Sequence, residues 1–133
     1  MFGVAHDLSP ALLTALAKHF ADLNPKPLKP LKPLGGASRE LAAAGNKIFE
    51  EGVPDAGVPQ CSACHGADAK GNGAFPRLAG QLDDYIFKKL VNWSKERGLD
   101  KANPDTSALM EPIAHSLTEA QIKAVAAYLN HLE

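Results

Sequence analysis

The 133-residue sequence has only two cysteines, Cys61 and Cys64, and no other pair from which a disulfide framework could be built. Strand formers are scarce: Val and Ile together number 9, against 22 Ala and 17 Leu. That balance disfavours a β-sandwich or barrel and favours helices. Long apolar runs are missing, since none approaches the roughly eighteen residues of a membrane span. Met1-Phe2-Gly3 does not begin a basic-then-apolar export signal. Net charge is nearly absent, with 14 basic residues against 15 acidic, so no bulk attraction to nucleic acid or anionic lipid is implied. What remains, 45% hydrophobic and 22% charged side chains, suits one soluble globular domain with an attached segment.

The charge is unevenly spread. Residues 24–39 carry Lys26, Lys29, Lys32 and Arg39 with no acid, whereas residues 40–133 carry 9 basic and 13 acidic side chains. The basic stretch is also proline-rich: Pro25, Pro27, Pro30 and Pro33 fall within nine residues, fixing φ and removing amide donors. It is expected to run as an extended spacer, roughly 3.1 Å per residue, over residues 24–37. The spacer separates a segment 1–23 from a body 38–133.

The two flanks are related. Sliding the chain by 109 positions lays Met1 on Met110, Ala5 on Ala114, His6 on His115 and Leu8 on Leu117. It also pairs Ala11/Ala120, Ala15/Ala124, Ala17/Ala126 and Leu23/Leu132, eight identities in 23 ungapped positions. Residues 1–23 therefore read as the tail of a domain whose front is missing.

Periodicity predicts four or five helices. Residues 10–23 follow a Ser9 N-cap with Pro10 in the first turn, and Leu12, Leu13, Leu16, Phe20 and Leu23 form one stripe. Residues 39–51, 83–97, a short stretch near 107–116, and 119–132 behind the capping box Thr118-x-x-Gln121 complete the set. The glycine-rich stretch 52–82 reads as loop, and it holds both cysteines.

Those cysteines belong to Cys61-Ser62-Ala63-Cys64-His65, an attachment signal for c-type haem. Two thiols one helical turn apart can each form a thioether with a haem vinyl group, and the adjacent His65 can present a ring nitrogen to iron. Zinc is an alternative, if His6, His19, His115 or His131 joined Cys61, Cys64 and His65. A thioredoxin-like redox pair would want a βαβ context that this valine-poor chain lacks. With haem as the leading reading, Met110, 45 residues after His65, is the expected sixth ligand, and His115 is the rival donor.

Residues 38–133 resemble a class I cytochrome c, most closely the short bacterial periplasmic kind, including those with two tandem haem domains. The resemblance rests on Cys61 to Gly66, Phe75-Pro76-Arg77-Leu78-Ala79-Gly80-Gln81, Tyr85, Met110, and Leu117-Thr118 followed by Ile122, Val125, Ala126, Tyr128 and Leu129. It implies an all-α cytochrome c fold around one covalently attached haem c, with an extra N-terminal helix. The first helix of the body would cross the last, Gly45 and Phe49 packing against Tyr128 and Leu129. The Pro76 carbonyl would take the Nδ1 proton of His65. Arg77, Gln81, Tyr85 and Trp93 would surround the haem edge and propionates. The segment Asn92 to Asn103 departs from the family pattern.

The implied function is one-electron transfer with redox protein donors and acceptors, in the periplasm, without nucleic acid or a membrane span. Alternatives are an electron-entry module of a larger multi-haem protein or dehydrogenase complex, and a haem enzyme or gas sensor in which Met110 is not on the iron. The stripe of residues 1–23 needs an apolar partner, and a homodimer through that segment is expected.

Overall fold

The computed structural model describes residues 6–23, 36–97 and 106–132. Of the spacer predicted over 24–37, residues 24–35 lie outside the described residues, as do Met1 and the expected helix stop at Gly98, while Gly36 and Ala37 belong to a helix that starts three residues before the predicted 39. The chain divides into two compact units, Met1–Lys32 and Pro33–Glu133.

In the first unit the sequence supports a helix as expected. α1 (Pro10–Asp22) starts at Ser9, whose Oγ accepts the Leu12 N–H at 3.3 Å, with proline in the first turn. Its apolar stripe is exposed along its length.

The second unit contains α2 (Gly36–Glu51), a 3₁₀ turn (Pro54–Ala56), α3 (Ser62–His65), α4 (Asp83–Val91), α5 (Trp93–Glu96), α6 (Ser107–Ser116) and α7 (Glu119–Asn130). No strand occurs among the described residues, in agreement with the all-α expectation. α7 has both halves of its capping box: Thr118 Oγ1 accepts the Gln121 N–H, and Gln121 Oε1 accepts the Thr118 N–H at 2.8 Å.

α2 packs on α7, and one residue decides how closely. A Cβ built on Gly45 would lie 2.0 Å from the Ala124 carbonyl oxygen and 2.8 Å from Tyr128 Cβ, so only glycine admits this approach. One turn on, the Phe49 ring meets Tyr128 with centroids 5.5 Å apart. Phe49, Ala69, Ala79, Ile86, Val125, Ala126 and Leu129 form the main core, and Val58, Leu117 and Ile122 a second cluster.

Two expectations change in detail. The helix predicted over 83–97 is two helices, because Asn92 leaves helical geometry at φ −101°, ψ 16°. Asparagine competes poorly for a helix interior, and the turn here re-aims Trp93. The stretch read as loop over 52–82 contains the 3₁₀ turn and the single-turn α3.

Candidate haem-binding site

One turn of helix sets the geometry of the cysteines. The Cys64 and His65 N–H groups both donate to the Cys61 carbonyl, at 3.2 and 3.0 Å, so Cys61 and Cys64 share one face. The loop after His65 then folds back under it. Gly71 N–H donates to the His65 carbonyl at 2.9 Å, and Leu78 and Ala79 both donate to the Ala69 carbonyl. This return needs glycine at 71: its φ is +92°, and a Cβ there would sit 2.8 Å from the Phe75 carbonyl oxygen. The far end is tied to α7 by Gly80 N–H on the Leu129 carbonyl and by Asn130 Nδ2 on the Gln81 carbonyl.

The loop thereby brings Pro76 under the imidazole. His65 Nδ1 lies 2.8 Å from the Pro76 carbonyl oxygen, and the Phe75 ring stands edge-on at 6.1 Å. A carbonyl only accepts, so Nδ1 carries the proton of the neutral ring and Nε2 keeps its lone pair. His65 is 7% exposed, the one buried polar residue among those described.

A cavity of about 480 Å³ joins these groups to residues distant in sequence. Cys61, Cys64, His65 and Pro76 line it together with Trp93 and Met110. The rest of its wall is mainly apolar, including Pro59, Ala74, Phe75, Leu109 and Ile113, with Arg97 the one charged side chain among the described residues. The residues present fit a haem: an apolar slot, two thiols on one helical turn, an imidazole with its tautomer set, a thioether sulfur, and one cation for the carboxylates.

Arg77, Gln81 and Tyr85 are not in the cavity wall. Arg77 Nε donates to the Ala79 carbonyl at 3.0 Å, Gln81 Oε1 accepts the Leu82 N–H, and Tyr85 is exposed beneath the Lys89 ammonium. Sequence reasoning did not single out Arg97, Phe75 alone, or Ile113 for the site. Ile113 follows Met110 by three residues on one face of α6, whereas Arg97 is the extended residue that ends α5, its guanidinium 5.7 Å from the Trp93 ring centroid.

Burial pushes the Cys61 thiol up to about 11, the reverse of the depressed value on which a thioredoxin-like pair depends. Among the described residues no three of His, Cys, Asp and Glu converge on one point, which a zinc site would require. His115, the rival axial donor, is exposed and lines a different cavity. No described helix is long and apolar enough to cross a membrane.

The family model for cytochrome c matches residues 42–133. A cytochrome c-552 of Acidithiobacillus ferridurans is 39% identical over 132 residues, covering 99% of this chain and 52% of that protein. A thiosulfate dehydrogenase electron acceptor of Thiomonas intermedia is 36% identical over 130 residues, covering 97% of this chain and 56% of its own. Among solved structures, a cytochrome c4 of Acidithiobacillus ferrooxidans matches with a TM-score of 0.75 and 38% identity, over 99% of this chain and 70% of that one. The chain spans about half the length of the two curated relatives.

Proposed function

This chain belongs to the cytochrome c family, and from that premise we propose that residues 38–133 bind one haem c and act as a one-electron carrier. Cys61 and Cys64 would hold the haem covalently, and His65 and Met110 would be the residues that hold its iron. When bound, the haem supplies the one-electron chemistry, its iron alternating between ferrous and ferric. The chain's own residues set the conditions for it. The Pro76 carbonyl keeps the Nδ1 proton of His65 in place, leaving Nε2 as the donor atom. The Met110 thioether favours the ferrous state relative to a second imidazole. Phe75, Pro76, Leu109 and Ile113 exclude water, and Arg97 pairs with the carboxylates. Arg77 and Gln81 brace the end of the loop that carries Pro76 through bonds to the Ala79 carbonyl and the Leu82 N–H.

The observation that carries this reading is the shared cavity: His65 and Met110, 45 residues apart in sequence, line one apolar volume with both cysteines. Two filled axial positions leave no site for a substrate, which argues for a carrier over a haem enzyme or gas sensor. The test is Met110→Ala in the haem-loaded chain. We expect a lower reduction potential and rapid carbon monoxide binding to the ferrous form. An unchanged spectrum in Met110→Ala, with a change in His115→Ala, would sink the assignment.

A second reading is favoured by the likeness to an electron acceptor named for thiosulfate dehydrogenase. The chain then takes electrons from a dehydrogenase as one module of a longer protein with a further haem domain. Residues 1–23, which repeat 110–132, are then the tail of that domain, with α1 as its last helix, and a periplasmic setting suits covalent haem attachment. Reduction of the haem by such a dehydrogenase with its substrate, but not by substrate alone, checks it. If residues 1–23 instead pair between copies, light scattering will show a homodimer.

A further inference from the structure

The two halves of α6 are held differently. Its second half carries buried Ala114 and runs into buried Leu117. Its first half has no buried residue: Ala108 and Leu109 are exposed, while Ser107 and Met110 are half-buried along the cavity. Pro112 stands between the halves and has no N–H to donate to the preceding turn. Among the described residues, then, the turn that carries Met110 contributes no buried side chain, and Pro112 returns no backbone hydrogen bond to it.

A hydrogen bond from elsewhere reaches that turn. The Trp93 indole Nε1–H donates to the Ser107 backbone carbonyl at 3.1 Å, joining α5 to the first residue of α6. Met110 lies three residues beyond Ser107. The indole stands between the cavity containing Met110 and a second cavity of about 420 Å³, and the Arg97 guanidinium lies 5.7 Å from its centroid.

We propose that Trp93 is a positioning residue for the sulfur ligand. Its N–H holds the first turn of α6, so that Met110 stays at the cavity wall and the sixth iron position stays closed. The inference rests on the reading of Met110 as an axial ligand. Local opening of this turn breaks the bond, so removing the donor raises the open fraction about five- to tenfold. A small external ligand that binds only the open form gains the same factor in apparent affinity.

The experiment titrates the ferric haem-loaded chain with imidazole, in the wild type and in Trp93→Phe, and records the long-wavelength absorption of sulfur-ligated ferric haem. We expect imidazole to bind Trp93→Phe about five- to tenfold more tightly, with the sulfur band lost at a lower temperature on heating. Val125→Ala, which loosens the main core and lines neither cavity, should leave the affinity within about twofold. Trp93 is the only tryptophan, so growth on benzothienylalanine, which keeps the fused ring and lacks the N–H, supplies a second replacement should Trp93→Phe misfold. Unchanged imidazole affinity in the Trp93 replacements, or an equal gain in Val125→Ala, overturns the proposal while the axial assignment stands. A wild-type ferric chain without the sulfur band overturns both.

Discussion

α1 and α7 carry the same pattern to opposite ends. Phe20 and Leu129 occupy equivalent positions of the repeat, yet Phe20 is 66% exposed and Leu129 is 2% exposed. Leu16 and Val125 repeat the contrast at 38% and 3%. Both helices have an N-cap, and both present apolar side chains at helical spacing. The difference lies in what faces them. α7 meets Gly45, whose missing Cβ lets two backbones approach, and the Phe49 ring beside it. An amphipathic stripe specifies that a face is to be covered, and the covering surface must come from another part of a molecule.

The contrast can be broken most severely at the crossing itself. Gly45→Val places a branched side chain where even a Cβ meets the Ala124 carbonyl at 2.0 Å. We expect a loss above about 3 kcal/mol, read as the disappearance of a cooperative chemical denaturation curve.

The repeated positions give a sharper comparison. Leu129→Ala should lower the unfolding free energy of the haem domain by about 2–4 kcal/mol. Phe20→Ala, at the equivalent place, should change it by less than about 0.5 kcal/mol. A cost above about 1 kcal/mol for Phe20→Ala would mean that α1 is packed in solution.

The caps extend the comparison at smaller scale. Thr118→Ala removes half of a reciprocal pair and should cost the domain about 1 kcal/mol. Ser9→Ala should leave the domain's melting temperature unaltered and lower helical circular dichroism alone.

The smallest effect is expected from deleting residues 1–34. The haem spectrum and midpoint potential of the remaining chain should match those of the full chain within error. If the potential moves, residues 1–34 touch the haem environment. If light scattering shows a full-length dimer becoming a monomer, the stripe was the interface.

Much of the site was legible without coordinates because it is local. Cys61, Cys64 and His65 sit within one helical turn, and a turn's geometry follows from spacing alone. Met110 could be nominated because the chain has only one methionine besides Met1. The Pro76 contact with His65 could be anticipated only through likeness to a family, since it closes an eleven-residue loop through Gly71 and Ala69. Arg97 and the Trp93 bond to Ser107 escaped, because both depend on the break at Asn92, where two helices replace the one that periodicity suggests.

By itself, the sequence determined that the chain is helical, that it carries one haem attachment motif, and that two of its segments are copies. These properties depend on residue type and short-range spacing, which a linear string records. Tertiary structure alone decided that α7 is buried while its copy is exposed, that Met110 shares a cavity with His65, and that Arg97 lines it. Each of these depends on which surfaces meet across many residues, and side-chain periodicity carries no information about the partner of a face.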